Sequence, residues 1–173
     1  ALHGMTKDAW SRYSDAGYKH YQVVMPGFKY NMTDVQASFG LHQLKRLETN
    51  LTRREEIWQM YNESLRDLPV DLPADAAPEC RHAMHLYTIR VRPDCGLNRD
   101  ELMDALYKMN IGSGVHYTAL HLHPYYHDTY NYRPGDFPNA ELVGNSTLSL
   151  PFSAGLTDAD VKDVISALKK ILG

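Results

Sequence analysis

No apolar run in this 173-residue sequence approaches the ~18 residues that a membrane-spanning helix needs. Cysteine is scarce. Cys80 and Cys95 are far apart and form no CxxC pair, which suits bystander thiols in a reducing cytoplasm better than a disulfide scaffold. Basic charge is not in excess either. With 18 Lys and Arg against 21 Asp and Glu the net charge is −3, so bulk electrostatics offers no surface for nucleic acid or an anionic membrane. The first residues, Ala1-Leu2-His3-Gly4-Met5, lack the basic start and apolar stretch of a signal peptide, and they lack an initiator Met. The expectation is a cytoplasmic chain that begins inside a longer reading frame or after processing. Internal repeats, low-complexity tracts and heptad seams are also missing. Four Asn-x-Ser/Thr sequons, at Asn31, Asn50, Asn62 and Asn145, read as chance matches, three of them in or beside predicted helices.

What is present is enough apolar residue, 43%, for a real core, with 23% charge. The length allows one ordinary domain, or a small domain plus part of another. A short helix is expected near Thr6–Ser14, then an irregular aromatic stretch from Tyr18 to Tyr30 with a turn at Pro26-Gly27. Thr33 with Gln36 has capping-box spacing and opens a helix whose apolar stripe is Val35, Phe39, Leu44 and Leu47. A second helix is predicted over Arg53–Leu68, stopped by Pro69, and a surface connection over Val70–Ala83. Met84–Val91 reads as a strand, and Asn98 with Glu101 opens a helix that buries Leu102, Leu106 and Met109. Ile111–Tyr117 reads as a turn and strand, 118–137 has no clean periodicity, and Leu148–Leu150 is a short strand. Thr157 caps a last helix carrying Val161, Val164, Ile165, Leu168 and Leu172 at helical spacing. The order predicts an α+β layer, helices packed on a small sheet.

Two clusters could carry chemistry. In Pro26–Gln36 a cation, Lys29, and an amide, Asn31, precede a helix N-terminus, where free N–H groups and the helix dipole favour phosphate. An ordinary capped helix with a solvated lysine explains the same residues. The second cluster is histidine: four of the nine, His116, His121, His123 and His127, fall close together. His121 and His123 on a strand would share a face, as in some zinc sites, although no carboxylate or cysteine stands at ligand spacing. The alternative is a polar, aromatic rim, with Tyr125, Tyr126, Tyr130 and Tyr132 either packing or forming a platform for a sugar.

Several segments, in order and spacing, resemble the C-terminal half of the DegT-type pyridoxal-phosphate (PLP)-dependent nucleotide-sugar aminotransferases. They are LHGMTKDAWSRY, GFKYNMTDVQASFGLHQLKRLE, HLYTIRV, RDELMDALYKMNIGSGVHY and LSLPFSAGLTDADVKDVISAL. The similarity extends over essentially the whole chain and looks closest to enzymes that aminate a 4-keto sugar on a nucleotide carrier. It implies the small C-terminal domain of the type I PLP-dependent transferase fold. Residues 1–48 would be the tail of the large domain with an interdomain helix, and 49–173 the small domain. It further implies a homodimer in which Asn31 reaches the partner subunit's PLP phosphate. Lys29 and Tyr30 would lie near the nucleotide-sugar phosphates, and His116 and Tyr117 would face the active-site mouth as substrate contacts. The implied setting is surface-polysaccharide or amino-sugar biosynthesis.

Transamination with PLP also needs a lysine that bonds the cofactor and moves a proton, and an acid beside the pyridine nitrogen. The resemblance places both ahead of Ala1. None of Lys7, Lys19, Lys29, Lys45, Lys108, Lys162, Lys169 or Lys170 stands in the family's context for that lysine. The chain alone is therefore expected to be inactive. A non-catalytic dimerising or accessory fragment is the standing alternative, and a His-rich metal-binding domain a further one.

Overall fold

The computed structural model of the chain describes residues 3–5 and 22–173. The helix expected near Thr6–Ser14, together with Trp10, Tyr18 and Tyr21, lies outside the described residues. The chain divides into two compact units, Ala1–Leu47 and Glu48–Gly173.

In the first unit residues 3–5 run antiparallel to the segment that leads to the Lys29–Asn31 cluster. Met5 bridges Val23, the Val24 N–H donates to Gly4 O at 2.9 Å, and the His3 N–H donates to Phe28 O at 3.2 Å. The crossing is close enough to exclude side chains at two positions. A Cβ on Gly4, whose φ is +71°, would stand 1.9 Å from Met25 O, and one on Gly27 would stand 2.1 Å from the Gly4 nitrogen. Glycine is required at both, by space and at Gly4 also by conformation.

Helix α1 runs from Asp34 to Leu65. Its start has the predicted reciprocal cap: the Gln36 N–H donates to Thr33 Oγ1 at 3.3 Å and the Thr33 N–H donates to Gln36 Oε1 at 3.1 Å. Two helices were expected from the sequence, and one continuous helix forms instead. Thr49, Asn50 and Thr52 are weak helix formers, but no proline or glycine stands among them to force a break.

The second unit holds a three-stranded antiparallel sheet, β1 (Val70–Asp71), β2 (Tyr87–Val91) and β3 (Thr147–Leu150), in the order β1-β2-β3. Around it lie α2 (Arg99–Lys108), α3 (Pro124–Tyr130), α4 (Pro138–Ser146) and α5 (Asp158–Leu172). Register sorts the side chains. Tyr87 faces Leu150, Ile89 faces Leu148 and Val91 faces Val70, so one face is wholly apolar. That face packs with Ile57, Trp58, Tyr61 and Leu65 of α1, Leu102 and Leu106 of α2, and Val161, Val164, Ile165 and Leu168 of α5, all buried. The opposite face carries Asp71, Arg90, Thr88, Thr147 and Ser149. The expected α+β arrangement of helices on a small sheet is what forms.

Two more expectations are corrected. Residues Val70–Asp71, assigned to a surface connection, pair with β2, because Val70 is drawn into the core. Ile111–Tyr117 is not a strand: a single bridge joins Gly114 to Ser149, with N–H to O distances of 3.1 and 2.8 Å. The glycines at 112 and 114 leave that stretch too few side chains to hold a ladder.

Two tyrosines sit at the centre of the core. Tyr61 donates to Pro151 O at 2.8 Å and Tyr87 to Asn62 Oδ1 at 2.7 Å. Burial pushes both phenols up, that of Tyr87 further by the neighbouring Tyr61. Raised folded-state values mean that the protonated phenols stabilise the fold. This stabilisation is whole below the unfolded value of about 10 and is lost as the pH climbs above it. Urea midpoints followed by circular dichroism should thus stay level to pH ~9.5 and fall beyond it. Tyr61→Phe and Tyr87→Phe together should flatten the alkaline fall. An unchanged alkaline fall in the double variant would assign it to other groups.

Candidate functional site

The segment Phe28–Asn31 is outside regular secondary structure and solvent-facing. The rings of Phe28 and Tyr30 stack with centroids 5.2 Å apart and planes 7° apart, and Tyr30 is 78% exposed. Neither the Lys29 ammonium nor the Asn31 amide has a hydrogen-bond or ionic partner among the described residues. Thr33 and Gln36 occupy each other, and the first amides of α1, at Asp34 and Val35, have no acceptor among those residues. A cation, a side-chain amide and open N–H groups at the positive end of a helix form a donor set that suits a phosphate. Asp34 in the first turn complements the same dipole and opposes the anion.

His116 and Tyr117 lie in the second unit, on the loop after the Gly114 bridge. Their rings meet edge to face at 4.9 Å. Tyr117 is 75% exposed, whereas His116 is half-buried with Nδ1 2.8 Å from Ser149 Oγ. Behind Ser149 stands Thr88, its Oγ1 2.9 Å away. The loop lies against α4 at Gly144, where a Cβ would come within 2.8 Å of the Ala119 nitrogen. Lys29, Tyr30 and Asn31 are neighbours within the first unit, and His116 and Tyr117 within the second. Sequence reasoning missed Ser149 and Thr88. The signal available was two hydroxyl residues at alternate-face positions of strands that otherwise bury Leu, Ile and Tyr.

The zinc-like placement of His121 and His123 is overturned. Leu120–Leu122 is a 3₁₀ turn and His123 precedes Pro124, the first residue of α3, so the two do not share a strand face. His121 is buried, with Nε2 2.9 Å from Glu141 Oε1. The Gly135 N–H and then the His121 ring hold the Glu141 carboxyl below its ordinary range. His127 is engaged by Asp128 and Arg133. Among the described residues no three His, Cys, Asp or Glu converge as a metal site. The aromatics pack as a continuous run. Phe137 meets His121 at 4.9 Å and Tyr132 at 5.3 Å, and Tyr132, Tyr130 and Tyr126 follow at 5.8 and 6.2 Å. A cavity of about 320 Å³ opens among Leu120, His121, Tyr126, Tyr132, Phe137 and Ala140. Among the described residues no helix is long and apolar enough to cross a membrane.

Against known proteins the agreement is broad. The chain is 46% identical over 172 residues to an uncharacterized protein of Methanocaldococcus jannaschii. It is 44% identical over 174 residues to the spore coat polysaccharide biosynthesis protein SpsC of Bacillus subtilis. In each case the match takes in 99% of this chain and 45% of the relative, so the chain spans a little under half their length. Among solved structures it resembles the PMP-form of Spr1654 from Streptococcus pneumoniae, described as a sugar aminotransferase. The TM-score is 0.79 at 31% identity, over 98% of this chain and 42% of that one. It also resembles PseC of Helicobacter pylori, an aminotransferase involved in the biosynthesis of pseudoaminic acid. There the TM-score is 0.75 at 25% identity, over 98% of this chain and 43% of that one. Structures of Spr1654 exist in both PLP and PMP forms. Residues 1–169 match the DegT/DnrJ/EryC1/StrS aminotransferase family, and the chain belongs to that family.

Proposed function

We propose that residues 1–173 form the C-terminal part of a PLP-dependent aminotransferase that moves an amino group from glutamate to a nucleotide-linked keto-sugar. The product would serve surface-polysaccharide or amino-sugar biosynthesis in the cytoplasm. In this reading residues 1–48 are the tail of the large domain with the interdomain helix, and residues 49–173 are the small domain. The observation that carries it is the unpartnered donor set of Lys29, Asn31 and the first amides of α1, in a chain of this family. PLP, when bound, supplies the electron sink through which the amino group is exchanged.

The roles of this chain's residues follow from their chemistry. Asn31 donates its amide N–H to the cofactor phosphate of the partner subunit. Lys29 neutralises the nucleotide-sugar phosphates, with the Tyr30 hydroxyl as a further donor. His116 and Tyr117 hydrogen-bond the substrate at the mouth of the site. The lysine that bonds the cofactor and the acid at its ring nitrogen belong, in this reading, to a part of the protein outside these residues. Glutamate, PLP and a panel of 4-keto nucleotide-sugars supplied to the full-length protein should yield 2-oxoglutarate in step with an amino sugar. Turnover of none of them, with PLP bound, would overturn the assignment of the substrate.

The apolar residues around the donor set have a role as well. Val35, Phe39, Leu44 and Leu47 of α1 are each more than half exposed, as are Val23, Met25 and Phe28. Large apolar side chains exposed in this number suit a contact surface. We assign it to the rest of the protein, in a homodimer or as a complementing N-terminal half. Chain 1–173 alone should therefore self-associate as concentration rises, or bind an added N-terminal half. It should also give no borohydride-trapped PLP adduct on any of its own lysines. A chain that stays monomeric at high concentration and ignores the added half would sink the contact assignment. A trapped adduct would overturn the division of labour.

A further inference from the structure

The Thr88–Ser149–His116 arrangement has a direction, and the direction decides which face His116 shows a ligand. Ser149 sits on β3 opposite Thr88 of β2, on the polar face of the sheet, and is buried despite its hydroxyl. It grips the 114–116 segment three times. Its backbone exchanges two hydrogen bonds with Gly114, at 3.1 and 2.8 Å, and its Oγ lies 2.8 Å from His116 Nδ1. On the other side the ring is bounded by Gly114: a Cβ there would fall 3.2 Å from His116 Cε1, tighter than ordinary contact. The imidazole is thus held between a glycine and a serine, and its Nε2 has no partner among the described residues.

Hydroxyl bookkeeping selects one polarity. Ser149 Oγ has one hydrogen and two neighbours, Thr88 Oγ1 at 2.9 Å and His116 Nδ1. If Thr88 donates to Ser149 and Ser149 donates to Nδ1, each hydrogen of the pair has an acceptor inside the relay. Each direction leaves one hydrogen without an acceptor among the described residues, Nε2–H in the first and the Thr88 hydroxyl in the reverse, and only the first keeps both strand hydroxyls paired. The first arrangement makes Nδ1 the acceptor and puts the proton of the neutral ring on Nε2.

We propose that Ser149, backed by Thr88, is a positioning residue that fixes His116 as an Nε2–H donor toward an oxygen of a nucleotide-sugar, a sugar hydroxyl or a phosphate oxygen. The ligand half of this statement rests on the reading of His116 as a substrate contact, and the positioning half does not. Protonation of the ring needs only the two hydroxyls to turn, after which Nδ1–H donates to Ser149. His116 keeps its anchor in either state.

The positioning half is read by ¹⁵N NMR of the imidazole in chain 1–173, at a pH where the His116 signals have stopped changing. Wild type should show Nε2 as the protonated nitrogen and Nδ1 as the acceptor. Ser149→Ala should move both shifts toward those of an unconstrained imidazole. Thr88→Val should move them part of the way, and Thr88→Ser, which keeps the hydroxyl, should restore them. Ser149→Ala and Thr88→Val spectra that both match wild type would overturn the relay. The ligand half is read in the full-length protein with UDP-glucose as the probe. His116→Ala and Ser149→Ala should each weaken binding about three- to tenfold, the worth of one hydrogen bond. The double variant should lose little more than either, since the two act as one unit. Unchanged UDP-glucose binding in His116→Ala would remove the substrate contact and leave the tautomer result standing.

Discussion

Asn31→Ala in the full-length protein should weaken PLP retention by about 1.5–3 kcal/mol, the usual worth of a hydrogen bond to a charged group. The helix should not suffer, because its cap is made by Thr33 and Gln36, which Asn31 does not touch. Asn31→Asp keeps the shape and brings a negative charge toward a phosphate, so it should be worse than alanine. Absorbance of bound cofactor after dialysis, for the three proteins side by side, is the measurement. Equal retention in all three would return Asn31 to an ordinary loop residue ahead of a cap. The crossed geometry can be tested separately. A mixed dimer with Asn31→Ala on one subunit and the cofactor-bonding lysine removed from the other leaves one site intact only if Asn31 serves the partner. About half of wild-type activity is then expected at limiting PLP, and less than that if Asn31 serves its own subunit, because the one site with its lysine would then retain PLP poorly.

Tyr61→Ala should cost about 3–5 kcal/mol of stability, the range for emptying a large aromatic from a core. Tyr61 is fully buried, its ring centroid is 4.8 Å from that of Tyr87, and its hydroxyl supports Pro151 O at 2.8 Å where the chain leaves β3. Trp58 and Phe152 complete the aromatic group around Tyr87, at 4.9 and 6.1 Å. None of these can fill the space without leaving its own contacts. Tyr61→Phe separates the two contributions. It keeps the ring and leaves Pro151 O without its donor, a loss of about 1–3 kcal/mol. Urea denaturation at neutral pH measures both. A Tyr61→Ala loss as small as that of Tyr61→Phe would mean the core closes over the gap.

The parts of the fold legible in the sequence were those in which local chemistry and burial agree. The Asn98–Glu101 and Thr157 caps stand where the spacing put them. The Thr157 hydroxyl is shared with Asp160, and Asn98 Oδ1 accepts from Asp100 and Glu101. The apolar periods of α2 and α5 identified Leu102, Leu106, Val161, Val164, Ile165 and Leu168, all buried; Met109, the third residue expected inside from Leu102–Met109, stays 37% exposed at the helix end. Strand Tyr87–Val91 was found, although Met84–Leu86 at its expected start lie outside it, with Met84 at a φ of 45°. Helices α3 and α4 were not legible. Each begins on a proline without a side-chain cap, and their inward contacts come from tyrosines and glycine rather than an aliphatic stripe. The candidate site divided the same way. Lys29, Tyr30, Asn31, His116 and Tyr117 were nameable from motifs, while Thr88 and Ser149 became visible only when strand register set them side by side.

The sheet bears on solubility. One edge, β1, is two residues long, follows Pro69 and carries Asp71 in an ion pair with Arg90 at 2.7 Å. The other edge, β3, is partly occupied by the Gly114 bridge and ends at Pro151. Short strands, charge and proline are the means by which proteins keep sheet edges from recruiting further strands. Amyloid-like stacking has little backbone to start from in this unit, and a preparation that thickens on concentration should do so through helix and aromatic surfaces while staying free of cross-β order.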